Sequence, residues 1–363
     1  MHSNPSHKLI ALVAVLLAAV LLSFSARRSI VVDDRASVDI DQPNASACRD
    51  CHVDQWDDFQ DAPHRLALTA GSSAEVRERL LGQRFADGVL TWEYVAHEGG
   101  VALRCSGYDR LLPVDWVFGS GTHAQTPVSV WTNPRGETEL LEHRVSWYPD
   151  TQSLGATLGQ NDDGSPPVDA KYGIRAAGLL HPPAAARDCF RCHTTSLQQR
   201  PQRTPKISQT GVSCARCHVG SEEHVAYQQE AGAAAPLESW RGLTPRESIN
   251  RCGECHRRAD QFTPDELTIE NSRLIRFAPV SLAQSKCFTV SEKTDRRLDC
   301  LTCHNPHQAA ATDPAHYRKR CLSCHGDGQT ACSEEPPESN CLSCHMKKVE
   351  VHPHLHFTDH WIR

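Results

Sequence analysis

Aromatic side chains make up only 6% of the 363 residues, and apolar residues of all kinds 39%. That is thin material for a conventional core, so another apolar mass is expected to complete it. A basic excess is also missing, the formal net charge being −6. This argues against a nucleic-acid partner, which would call for a basic patch or stripe. Methionine is nearly absent, with only Met1 and Met346 present. Thioether is therefore excluded as a general metal ligand. The apolar run at the N-terminus, 9–24, has sixteen residues. It is shorter than the ~20 a spanning helix needs and longer than the ~7–15 of a signal-peptide core. Ser23-Phe24-Ser25 offers small residues at cleavage-like spacing, followed by Arg27 and Arg28. Residues 1–28 are read as a signal peptide or a membrane anchor. Either reading places the rest of the chain outside the cytoplasm: periplasmic, or otherwise extracytoplasmic, with tethering to the inner membrane if the segment is kept.

Cysteine, by contrast, is abundant. Fourteen of 17 Cys fall in seven Cys-x-x-Cys pairs, each followed at once by His. The motifs are Cys48/Cys51/His52, Cys189/Cys192/His193, Cys214/Cys217/His218, Cys252/Cys255/His256, Cys300/Cys303/His304, Cys321/Cys324/His325 and Cys341/Cys344/His345. Two thiols one helical turn apart can form thioether bonds to the two vinyl positions of a porphyrin. The next residue then lies beneath the ring, where its imidazole binds iron. This is the reading of Cys-x-x-Cys-His as a c-type haem attachment site. Zinc knuckles use paired Cys but do not need His after each second Cys. With 21 His in 363 residues, chance places one there about 6% of the time. The expected cofactors are seven covalently bound haem c groups, each with one iron.

A gap of 136 residues separates His52 from Cys189, whereas the other six motifs fall within 157 residues. Inside the gap the pattern turns strand-like: 89–95, 101–105, 112–118, 127–132 and 140–148, the last two flanking a hairpin loop at Asn133-Pro-Arg-Gly-Glu137. Ser73 ahead of 75–81 marks a capped helix. Thr244-Pro-Arg-Glu247 is a capping box with Pro at the first helical position, Thr263-Pro-Asp-Glu266 repeats it, and Asp313-Pro opens a helix into Cys321. The expected fold is haem-dense. It has mostly short α-helices and loops around covalently bound haems, with a small antiparallel β module in the N-terminal half. The expected divisions are 1–28 (leader), 45–70 (first haem segment), 71–165 (small α/β module) and 166–363 (haem-dense domain with six motifs).

The second axial ligand decides between carrier and catalyst. Twelve His lie outside the motifs and the leader: His64, His97, His123, His143, His181, His224, His307, His316, His352, His354, His356 and His360. Seven irons need seven. With so little Met, most irons are expected to be bis-His, which closes both axial positions and keeps potentials below those of Met/His haems. His224 and His307 follow their motifs too closely to reach round to the same iron, so each is expected to point at an adjacent one. His64 and His123 are further candidates, and the C-terminal cluster is expected to give His354 and His360. His97 and His143 read as exposed strand or loop imidazoles. Cys105, Cys287 and Cys332 are left over, with Cys287–Cys332 the expected disulfide if one forms.

The chain resembles the multihaem cytochromes related to the tetrahaem cytochrome that accepts electrons from hydroxylamine oxidoreductase. That wider group also includes hydroxylamine oxidoreductase and pentahaem nitrite reductase. The resemblance rests on Cys48-Arg-Asp-Cys-His with Trp56 and His64, on Trp116-Val-Phe-Gly-Ser-Gly-Thr-His-Ala-Gln-Thr126, and on Gly211-Val-Ser-Cys-Ala-Arg-Cys-His with His224. It extends to Cys300-Leu-Thr-Cys-His-Asn-Pro-His307 and to the ending Cys341-Leu-Ser-Cys-His-Met through Phe357-Thr-Asp-His-Trp-Ile-Arg363. It implies His64, His123, His224, His307 and His360 as distal ligands. The Cys-x-x-Cys-Lys motif of nitrite reductase is missing, which counts against that enzyme. The leading expectation is a heptahaem electron carrier. It would serve redox partner proteins, such as a membrane quinol-oxidising complex or other multihaem cytochromes. Two alternatives are an oxidoreductase with one five-coordinate haem acting on a small nitrogen or sulfur compound, and a subunit of a larger haem-containing assembly.

Overall fold

Alternation in the sequence becomes alternation of burial in the strands. Trp92 and Tyr94 point inward from 91–97, and Val101, Leu103 and Cys105 do so from 100–105. The computed structural model describes residues 46–160, 173–198, 206–230, 237–294, 296–326 and 340–363. The leader, 1–28, lies outside these. Among the described residues no helix is long and apolar enough to cross a membrane.

In chain order the strands are β1 (Leu68–Ala70), β2 (Arg84–Ala86), β3 (Thr91–His97), β4 (Gly100–Cys105), β5 (Tyr108–Pro113), β6 (Trp116–Phe118), β7 (Thr126–Thr132), β8 (Thr138–His143), β9 (Val145–Tyr148), β10 (Ser153–Ala156), β11 (Gly178–His181), β12 (Thr194–Gln198), β13 (Lys206–Thr210), β14 (Lys348–His352) and β15 (Leu355–Thr358). Strands β2-β3-β4-β5 form one antiparallel sheet and β1-β6-β7-β8-β11 another, while β9-β10, β12-β13 and β14-β15 are two-stranded pairs. Both large sheets share a core of Trp92, Tyr94, Leu103, Val117, Leu141 and Val145, joined by Val76 and Leu80 of the helix Ala74–Leu80. That helix is capped by Ser73, whose hydroxyl accepts from Val76 N. Trp92 Nε1 donates to Ala176 O at 2.8 Å, tying the segment before β11 to the core.

The strand content corrects the expectation of mostly short helices around a small β module. The β-rich part runs across residues 68–156 in two large sheets, and further hairpins sit among the haem motifs. Two expected strands are also broken. Residues 112–118 divide between β5 and β6, because the chain leaves one sheet at Pro113 and enters the other at Trp116. Residues 140–148 divide at Arg144, between β8 and β9. The strands that escaped notice, such as β1, β11 and β13, are short. Their existence depends on ladder pairing with neighbours rather than on a pattern of their own.

The five-stranded sheet positions haem segments. Its second face packs Leu68, Val128 and Leu140 against Ala186 and Phe190 of the helix Pro183–His193, which carries the second motif. Strand β1, just after His64, lies at one edge and β11, just before that helix, at the other. The capping box at Thr244 forms: Glu247 N donates to the Thr244 hydroxyl and Thr244 N to the Glu247 carboxylate. It starts the helix Pro245–His256, which ends on the fourth motif. Asp313 likewise caps the helix Pro314–His325. Thr263 and Glu266 repeat the contact but close only a turn.

His143 corrects another expectation. It is fully buried, between the Tyr94 hydroxyl at 3.0 Å from Nδ1 and the Ser129 hydroxyl at 2.9 Å from Nε2. Burial pushes its pKa down to about 3, because an apolar surround disfavours the cation. The unfolded chain takes up this proton near pH 6.5 and the folded one only near 3. The neutral imidazole therefore contributes stability that is fully present above about pH 6.5 and is lost as pH falls towards 3. We expect His143→Leu to cost about 1–3 kcal/mol at neutral pH, through lost hydrogen bonds, and to flatten the acid slope. Urea unfolding followed by circular dichroism between pH 4 and 8 measures both; an unchanged slope would contradict the account.

Candidate haem sites

Six of the seven motifs occupy the end or the whole of a short helix, so their two thiols share one face a turn apart; the first runs from the helix Ser46–Arg49 through a turn to His52. All seven motif histidines, His52, His193, His218, His256, His304, His325 and His345, line one continuous cavity of about 4130 Å³. A single small-molecule site spans about 300–1,000 Å³, so this space suits several large groups. Five further histidines line it: His64, His123, His224, His307 and His360. His354 stands elsewhere, stacked on Tyr148 at 4.6 Å with its Nδ1 3.2 Å from Asp150.

Histidine rings come together in pairs, at interplanar angles from 11° to 78°. His52 and His224 have centroids 6.4 Å apart, His64 and His256 6.1 Å, His218 and His307 6.2 Å, and His304 and His360 6.2 Å. A metal–imidazole bond is about 2.0 Å long. Two imidazoles on opposite sides of one metal then have centroids roughly 6 Å apart. The spacing fits an iron held between each pair. Every pair joins one motif histidine to a histidine from a distant segment.

Hydrogen bonds to the ring nitrogens sort the histidines. A ligand needs one nitrogen bare, which a partner on the other nitrogen secures. Nδ1 meets a backbone carbonyl in His64 (Pro306, 3.4 Å), His193 (Ala67, 2.9 Å), His360 (Thr358, 2.9 Å) and His345 (Arg363). These leave Nε2 for metal. In His181, His316 and His356, Nε2 is itself engaged, by Glu142, Cys303 O and Glu350 respectively. Charge follows the same logic. His256 is pushed down to about 4 by burial, with the neighbouring His64 and His193 adding to it. Burial, then His307 and His52, lowers His218. Both shifts favour the neutral form that a ligating imidazole must have. His224 Nδ1 is buried with no hydrogen-bond partner.

Thiols of different motifs also lie close together: Cys48 by Cys214, Cys192 by Cys255, and Cys252 by Cys300. Cys217 lies by Cys252, and Cys321 by both Cys303 and Cys341. Of the remaining cysteines, Cys105 is a buried thiol in the sheet core and Cys287 a half-buried one beside Cys321 and Cys324. Cys332, its expected partner, lies outside the described residues. The orienting groups could not be read from sequence. They are mostly backbone carbonyls, together with Phe118, edge-on to His193 at 4.9 Å, and Tyr317, edge-on to His304 at 5.7 Å.

Residues 172–219, which include the second and third motifs, match the family model described as cytochrome c554 and c-prime. No curated protein matches the chain. Among solved structures, the outer cell wall cytochrome OcwA is similar with a TM-score of 0.49 and 13% identity, over 88% of this chain and 78% of that one. That likeness is too distant to carry an argument. The family match and the repeated motif support a multihaem c-type cytochrome, a class in which haem c is covalently attached.

One backbone contact locks the site together. Val212 N donates to His64 O at 2.9 Å. Gly211, at φ +72°, lies so close that an added Cβ would meet Arg65 O at 1.9 Å. Only glycine accepts both conditions. We expect Gly211→Ala to push His64 away from His256, turning one iron from low to high spin in the electron paramagnetic resonance spectrum. A spectrum identical to that of the parent would show that the contact does not hold the pair.

Proposed function

We propose that the chain holds seven haem c groups and passes electrons among them outside the cytoplasm, between redox partner proteins. The observation that carries this is the set of four facing histidine pairs. His52 with His224, His256 with His64, His218 with His307 and His304 with His360 would each close an iron on both sides. A closed iron exchanges electrons but has no position for substrate. Haem c, when bound, provides the reversible one-electron couple. The residues would fix its place through two thioether-forming thiols and orient the imidazoles through the carbonyls named above.

The thiol contacts suggest the order. The first motif neighbours the third, the third the fourth, the fourth the fifth, the fifth the sixth and the sixth the seventh. The second branches from the fourth through Cys192 and Cys255. Such continuity supports a wire with one side arm. The extracytoplasmic location rests on the export reading of 9–24 and on where c-type attachment takes place. The partners would be a donor and an acceptor protein, for instance a quinol-oxidising complex and another multihaem cytochrome.

The side arm favours a second reading. Among the described residues no imidazole faces His193, and Phe118 is the ring beside it. An open iron there would make the protein an oxidoreductase for a small nitrogen or sulfur compound, with the other haems as its electron relay.

Intact mass tests the count: the holoprotein should exceed the polypeptide by seven haems, and fewer would mean an unused motif. His307→Met tests the pairing. Thioether in place of imidazole raises a haem potential, so one midpoint in a redox titration should move up while the others stay. Seven unmoved midpoints at full haem content would sink the His218–His307 pair.

A further inference from the structure

We propose that the sixth motif, Cys321–His325, carries a second small-ligand site of the molecule, open to an anion on the side opposite His325. This rests on the pairing read above and goes beyond it, since the open side arm involves a different motif.

The argument is a count. Every histidine beyond residue 45 lies within the described residues. Four facing pairs take up eight of them. Three motif imidazoles then remain, His193, His325 and His345, and the cavity offers them one more histidine, His123. His123 lies 4.9 Å from Phe357 on β15. Lys348 on β14 is close enough that its charge, with burial, lowers the His123 pKa. Both strands belong to the hairpin that follows the seventh motif. We assign His123 to His345 on this proximity, which leaves no further histidine of the cavity for His325.

The other histidines are held elsewhere. His143 sits between Tyr94 and Ser129, His181 on Glu142, His354 against Tyr148 and Asp150, and His316 on Cys303 O. His352 stacks on Tyr148 at 5.4 Å, while His97 and His356 pair with Glu98 and Glu350. Residues 327–339, which follow the motif in the chain, contain neither His nor Met.

The described residues around the motif favour a negative ligand. Arg296 donates to Cys324 O at 3.2 Å. Lys286 and Arg320 line the same cavity, and Lys286 adjoins Cys287, which lies beside Cys324. Asp299, which caps the helix of the fifth motif, is already ion-paired with Arg297 at 2.6 Å. Among small donors, Coulomb attraction then selects anions.

Cyanide is the probe. The oxidised holoprotein, with seven haems counted by mass, should show high-spin ferric signal and take up two equivalents as that signal converts to low spin. Cys321→Ala with Cys324→Ala removes the sixth haem, lowers the mass by one haem and should leave one equivalent. If that variant does not mature, Arg296→Gln serves, and should weaken cyanide severalfold at one of the two sites only. Uptake of one equivalent or none by the seven-haem protein overturns the proposal, and so does closure of the sixth iron by Met346 or by a second copy. Failure of the carrier reading would look different: fewer haems by mass, or haems that dithionite does not reduce reversibly.

Discussion

Two imidazoles roughly 6 Å apart, contributed by segments far apart in the chain, are the constraint on which the rest of this structure depends. Such a spacing lies within the range of ring contacts, and what sets these pairs apart is that each joins a motif imidazole to a remote one inside the shared cavity. The spacing also matches the distance a metal would impose between two ligands held on opposite sides. Because each pair joins a motif to a remote histidine, the pairs act as cross-links. His224 follows the third motif and faces the first; His307 follows the fifth and faces the third; His360 follows the seventh and faces the fifth. In the proposed holoprotein the irons would staple the haem-dense part together, which explains how a chain with so few aromatics can fold there.

The sheets answer a different need. Cross-links alone do not set the direction in which a motif enters the cavity. The five-stranded sheet does this by placing β1 and β11 at opposite edges and burying Phe190 of the motif-bearing helix against its face. Ala67, at the head of β1, then presents its carbonyl to His193. The β-rich region thus reaches the cavity through the loop 119–124 and has a core of its own.

The motifs and their chemistry were legible in the sequence, because Cys-x-x-Cys-His is a local covalent requirement that any fold must respect. So were the caps at Ser73, Thr244 and Asp313, which depend on three or four neighbouring residues. The scale of the sheets was not. Strands as short as β1 or β11 carry no alternation long enough to read, and they exist because an adjacent ladder accepts them. His143 misled for a related reason. One polar residue in a strand looks exposed until Tyr94 and Ser129, 49 and 14 residues away, are found to satisfy both of its nitrogens.

The sequence by itself determined the type of centre, through seven thiol pairs each followed by His. It also determined the kind of ligand available, through twelve further His and almost no Met. Tertiary structure alone decided which histidine meets which. It brought His64, His224, His307 and His360 opposite motif imidazoles, set His354 against Tyr148 and Asp150, and left His193 beside Phe118. The physical reason is range. Thioether attachment spans five consecutive residues and is written locally, whereas axial pairing needs a ring brought across the fold with its Nε2 bare. Only the packed chain specifies both.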